Sequence, residues 1–202
     1  MSAVESIDLT SRIAAVRGLR FEPAQPILWQ FAQDLKRRGL RVGGVVEFSQ
    51  CASEGACSHL TVRDLISGAS ISISQDLGPG STACNLDPYG LAQACANVER
   101  AIGDGVDVVV LSKFGKLEAA RGGLCDAFRA AILAGLPIIT AVSEGLTEDW
   151  SRFAGALSDD VAPTMQALDA WWSDYGKSDS AWTPPLPVGL SPARHVQSCD
   201  AD

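Results

Sequence analysis

At 202 residues the chain fits one domain and is long enough to bury a real core. Its formal net charge of −8 excludes the basic surface that non-specific nucleic-acid binding needs. Met1 to Asp8 lacks the basic start and apolar run of a signal peptide, and no apolar run reaches transmembrane length, so a cytoplasmic protein without membrane insertion is expected.

Residues 1–11 read as a flexible lead-in, and Ile13-Ala14-Ala15-Val16 as the first strand. Pro26 suits a helix start, and Ile27, Leu28, Phe31 and Leu35 predict a helix through Arg38 that stops at Gly39. Its basic end, Lys36-Arg37-Arg38, suits the helix dipole. Arg41–Phe48 is the second strand. Leu60–Ile66 and Ala69–Ser74 both alternate around Ser67-Gly68, which predicts an antiparallel hairpin at one edge of the sheet.

The loop from Gln75 to Asp87 contains Gly78, Gly80, Ser81 and Thr82 around Pro79. Its backbone N–H groups suit an anion-binding nest, and Gly-Pro-Gly suits an ordinary turn equally. Asp87-Pro88 then caps a helix with Leu91, Ala94, Cys95 and Val98 on one face. Val108-Val109-Val110-Leu111 is a continuous apolar run and reads as a buried parallel strand. It is followed by Lys113 and Lys116 around Gly115. Ligands of open α/β sheets bind beyond the carboxyl ends of the strands, so both lysines fall where a ligand is expected. A solvated basic loop is the plainer reading of the same residues.

A helix over 124–134, a buried strand over 138–142 and a short helix from Thr147 follow. Met165–Trp172 is a final amphipathic helix whose paired tryptophans suit packing. From residue 173 to 202 the chain turns Pro-, Ser- and Asp-rich, and an extended tail is expected. These boundaries leave one α/β domain over 12–172. Helices on both faces of a mostly parallel sheet make it a three-layer fold.

The six cysteines form no Cys-x-x-Cys pair. Cys95 and Cys125 read as small core residues, and free thiols are expected. Cys51, Cys57 and His59 lie close together, but their spacing is not a zinc signature and reads as loop. No catalytic Ser-His-Asp or Cys-His set is readable around His59 or His195, the only two histidines.

Gly115-Lys116-Leu117-Glu118 after a buried strand resembles the thermophile-type nucleoside-triphosphatases, a branch of the P-loop NTPases. Those enzymes carry an acidic pair where Ser112 and Lys113 stand. Ile73–Ser81 together with Lys113-Phe114-Gly115-Lys116 resembles more closely a bacterial family of uncharacterised proteins related to those NTPases. The resemblance covers roughly Ile13 to Trp172. It implies a P-loop-NTPase-like sheet with an edge hairpin and, through an association of that family with molybdate uptake genes, molybdate or tungstate as ligand.

The departures from an NTPase share one direction. Arg17–Pro26, after the first strand, has one glycine, no lysine and no Ser or Thr, so the Walker A motif is lost. The acid that would hold Mg²⁺ after the later strand is replaced by Ser112. In its place stand cations: Arg17, Arg20, Lys113 and Lys116. If the two strands end side by side, these four and Gly78, Gly80, Ser81 and Thr82 converge on one pocket. That pocket would hold an anion without metal.

The leading expectation is therefore a non-catalytic or weakly catalytic oxyanion-binding protein that requires no cofactor and has no metal-binding set, with no catalytic residues assigned. The alternatives are a nucleotide-binding protein or nucleoside triphosphatase with a non-standard site, or an interaction partner of a transporter or cofactor-assembly enzyme. In the second case Asp76 or Glu118 would have to hold metal or activate water, although Glu118 would equally pair with Arg121 on a helix face. Apolar helices and an edge hairpin leave room for a homo-oligomer.

Overall fold

The computed structural model describes residues 12–17, 24–50, 59–75 and 85–178. Nine strands and six α-helices follow in this order: β1 (Ile13–Val16), α1 (Ala24–Arg37), β2 (Val42–Gln50), β3 (His59–Asp64), β4 (Ser70–Ser72), β5 (Ser74–Gln75), β6 (Asn85–Leu86), α2 (Pro88–Gly103), β7 (Val108–Phe114), α3 (Lys116–Ala119), α4 (Cys125–Leu133), β8 (Ile138–Val142), α5 (Thr147–Ala154), β9 (Ser158–Val161) and α6 (Met165–Ser178).

Seven strands form the main sheet in the order β4-β3-β2-β7-β8-β1-β9. The strands from β2 to β9 in that order are parallel. The β3–β4 hairpin is antiparallel and extends the β2 edge, as its alternation predicts. Successive side chains of a strand point to opposite faces, and that alternation divides the core in two. Ile13, Ala15, Val109 and Leu111 pack on one face with Ala94, Val98, Phe128 and Trp150 of α2, α4 and α5. Ala14, Val16, Val108 and Val110 pack on the other with Leu28, Phe31 and Leu35 of α1 and Leu168, Trp171 and Trp172 of α6. The three-layer α/β expectation holds.

Gly44 explains how β2 and β7 approach so closely. Its φ is +115°, and a Cβ there would stand 1.9 Å from the Val110 carbonyl oxygen. No other residue fits without moving the strand.

Several elements differ from the sequence reading, among them α3 and the short β5–β6 pair, which it did not predict. β7 does not stop at Leu111 but runs to Phe114, because its pairing with β8 jumps from Leu111↔Thr140 to Lys113↔Ala141. Ser112 is the extra residue of this bulge, and Phe114 returns to the core, edge-on to Trp150 at 5.0 Å. Lys113 is thus a strand residue and not part of a basic loop. β9 is unanticipated. Its Ser-Asp-Asp-Val sequence buries only Val161, which suffices for an edge strand with one neighbour. α6 continues to Ser178, so the boundary expected at 172 falls inside a helix. Trp171 and Trp172 are both buried and pack as expected.

Cys95 and Cys125 are buried free thiols, and burial pushes both above the ordinary thiol range. Cys51, Cys57, Cys84, Cys199, the His59 side chain and the tail beyond 178 lie outside the described residues. No described helix is long and apolar enough to cross a membrane.

Candidate functional site

The carboxyl end of β7 organises the site. Gly115 ends the strand and caps α3. The Glu118 carboxylate turns back and accepts the Gly115 N–H with one oxygen, at 2.9 Å. Its other oxygen accepts the Leu124 N–H, also at 2.9 Å. Glu118 is buried, so both oxygens are committed to backbone donors. The expected pairing of Glu118 with Arg121 is not what forms. Gly123 makes room for this carboxylate: a Cβ there would stand 2.1 Å from Oε1, and its φ of +59° also favours glycine.

Lys113 and Lys116 open on one cavity of about 290 Å³. Ser112, Ser143 and the acids Glu47, Glu118 and Glu144 also line it, together with Ile73 and five leucines. Lys113 reaches across to β2 and pairs with Glu47 at 2.7 Å. The lysine side chain is 42% exposed and the glutamate 14%. Lys116 is exposed and has no ion pair with a described residue.

Gln25, in the first turn of α1, braces this end of the sheet. Its amide nitrogen donates to the Ser112 carbonyl at 2.6 Å, and its amide oxygen accepts the Glu47 N–H at 2.9 Å. The bulge at Ser112 turns that carbonyl out of the ladder and makes it available. Sequence reasoning missed both Gln25 and Glu47. Neither belongs to a motif, and only the pairing of β2 with β7 brings them to Lys113.

Arg17 is not brought to this cavity. β8 intervenes between β1 and β7, so their carboxyl ends are two strand spacings apart, about 10 Å. Arg17 turns instead toward β9 and α5. Its Nε donates to Asp160 at 2.7 Å, and its Nη1 to the Thr147 hydroxyl at 3.1 Å. The unanticipated strand β9 supplies the acid that holds it. Arg20, Gly78, Gly80, Ser81 and Thr82 lie outside the described residues. The strand that follows the glycine-containing loop, β6, contributes Leu86 to the cavity wall.

The family described as "Protein of unknown function (DUF2478)" matches residues 13–171. The "Molybdenum import ATP-binding protein ModC 2" of Bradyrhizobium diazoefficiens is 41% identical over 164 residues. That match takes in 81% of this chain but 18% of the relative, so the chain spans less than a fifth of the longer protein. Among solved structures, that of a human cancer-related nucleoside triphosphatase superimposes with a TM-score of 0.56. It is 17% identical, over 85% of this chain and all of that one. At that identity the likeness concerns the fold alone.

Proposed function

The chain belongs to the DUF2478 family, and we propose that it is a non-catalytic protein that binds a tetrahedral oxyanion, molybdate or tungstate, at the carboxyl end of β7. The observation that supports this reading is that Lys113 and Lys116 open on a single cavity. Related NTPases resemble this chain in that strand but carry an acidic pair where Ser112 and Lys113 stand. Lysine can hold an oxyanion directly, and charge-assisted hydrogen bonds contribute about 1.5–3 kcal/mol each. No cofactor is required. The choice of molybdate and tungstate rests on the relative named as a molybdenum import protein.

The proposal centres on the two lysines and on Gly78–Thr82, the segment that precedes β6 in sequence and lies outside the described residues. Arg17 is left out of it, being held by Asp160 and Thr147. Glu47 is part of it as a competitor, since an arriving anion meets Lys113 already paired. Hydrolysis is not proposed. Glu118, the acid retained from the Gly-Lys-x-Glu motif, has both oxygens engaged by backbone N–H groups.

Calorimetry with molybdate, tungstate, phosphate, sulfate and ATP, each with and without Mg²⁺, tests the reading. Oxyanion binding without Mg²⁺ that weakens in Lys113→Ala and Lys116→Ala is the expected result. Mg²⁺-dependent ATP binding with turnover would replace it with an NTPase. Oxyanion affinity unchanged in both variants would put the site elsewhere.

A second reading is favoured by the relative's length. There a homologous segment forms part of a longer import protein. The domain could then serve beside the ATP-binding component of a transporter, and co-purification with such a component would support it.

A further inference from the structure

The cavity at Lys113 and Lys116 has more apolar wall than an inorganic oxyanion can use. Ile73, Leu91 and Leu124 form its buried floor, and Leu86, Leu117 and Leu146 its sides. Leu86 and Leu117 are 37% and 38% exposed, and they are two of the five exposed large hydrophobic residues among those described. Leucine exposed to water at a cavity mouth is stabilised when an apolar surface covers it. A tetrahedral anion offers only oxygen and is satisfied by donors. The cavity volume, about 290 Å³, lies near the lower limit for organic ligands, roughly 300 Å³, and is about ten times the share of one water molecule. Its lining combines lysine and serine side chains with an isoleucine and five leucines, which suits a ligand that is itself two-ended.

We propose that the occupant is an organic oxyanion: a ring-sized apolar body carrying one phosphate-type group, the body against Leu86, Leu117 and Leu146 and the anionic group at Lys116 and Lys113. This rests on the reading that the two lysines receive a tetrahedral oxyanion, and adds to that site, beside molybdate or tungstate, a second class of ligand in which the anion is attached to an organic body. The two lysines fix the anionic end. Ser112 and Ser143 also line the cavity and offer hydroxyl donors for the anion's remaining oxygens. The leucines supply affinity by burial and discriminate against the bare anion. Covering a ring of phenyl size contributes about ten- to a hundredfold in affinity.

Calorimetry on the full chain with inorganic phosphate, phenyl phosphate and phenol separates the parts. Phenyl phosphate should bind at least about tenfold tighter than inorganic phosphate. Leu117→Ser and Leu86→Ser should remove most of that advantage, weakening phenyl phosphate far more than inorganic phosphate, and Lys116→Ala should weaken both anions. Both leucines are partly exposed, so the serine variants keep the fold, which circular dichroism checks. Equal affinity for phosphate and phenyl phosphate would overturn the organic ligand and leave the oxyanion reading intact. Phenol binding as tightly as phenyl phosphate, with no effect of Lys116→Ala, would overturn both, as would silence from all three compounds.

Discussion

The cavity lined by Lys113 and Lys116 and a second one lined by Arg121, Arg129 and Arg152 share Glu118 as a wall, at about 290 and 370 Å³. The second has three cations to the first's two, but in each just one, Arg121 or Lys116, has no ion pair with a described residue. Arg129 pairs with Asp126 at 3.0 Å, three residues away on its own helix. Arg152 pairs with Asp149 and Glu148, each at 3.2 Å and within one turn. These are ordinary exposed helix-surface pairs. In the lysine cavity the ion pair between described residues is tertiary, Lys113 to Glu47 across two strands, and Lys116 pairs with no described residue. A site is therefore not recognised by counting basic residues. What distinguishes the lysine cavity is that its cations stand beside Ile73 and five leucines.

Glu118 tests whether the shared wall is structural. In Glu118→Ala the buried N–H groups of Gly115 and Leu124 lose their acceptor. Each such orphan costs about 1–3 kcal/mol, so a loss of roughly 2–4 kcal/mol in unfolding free energy is expected. Denaturant titration measures it. A loss below about 0.5 kcal/mol would mean that water replaces the carboxylate and that the two cavities are not divided as described.

Removing one cation from each cavity tests the comparison itself. Lys116→Ala should weaken oxyanion binding by about tenfold, and Arg129→Ala should leave it unchanged. Equal effects would show that only summed charge matters. Arg129 is exposed and paired within its helix, so Arg129→Ala should also leave stability within about 0.5 kcal/mol.

How far these features can be read from sequence follows from their physics. Ile13–Val16, Val108–Leu111 and Ile138–Val142 are continuous apolar runs that only a buried parallel strand accommodates, and all three lie in the sheet. The hairpin and the capped α2 are likewise local signals, with the Asp87 carboxylate accepting the Tyr89 N–H at 3.0 Å. What escaped is non-local or polar. β9 has no apolar alternation, yet it supplies Asp160 to Arg17. The bulge at Ser112 depends on pairing with β8, and Glu47 meets Lys113 only because β2 lies beside β7. Strand order decided the site: one intervening strand keeps Arg17 from the lysines. The motif Gly115-Lys116-Leu117-Glu118 was legible as a motif, but which of its residues serve structure and which remain free was not.

Glu47→Gln sharpens the contrast between paired and unpaired cations. The amide keeps the shape and the backbone bond to Gln25 but releases Lys113. Because Lys113 is 42% exposed, its ion pair contributes no more than about 1 kcal/mol. Oxyanion affinity should therefore rise by up to about fivefold. A fall would mean that Glu47 positions Lys113 and does not compete with the ligand.

Cys125 lines the arginine cavity and reports the electrostatic balance there. Three arginines around a thiol would lower its pKa if they acted unopposed. Instead it is raised above the ordinary 9.0, foremost by burial. Arg129 and Arg121 pull it down, while Asp126 and Glu118 push it up. The protonated thiol is thus favoured in the folded chain relative to the unfolded one. Its contribution to stability is fully present below 9.0 and is lost as pH rises through the folded value. Two measurements follow, both of small effect. Alkylation at pH 8, read by peptide mapping, should modify Cys125 more slowly than an unstructured thiol. Between pH 8 and 10 the urea midpoint of the unaltered protein should fall slightly more than that of Cys125→Ala. Rapid alkylation at pH 8 would mean an activated thiolate in a net positive cavity. It would make the arginine cavity, and not the lysine one, the stronger candidate for an anion.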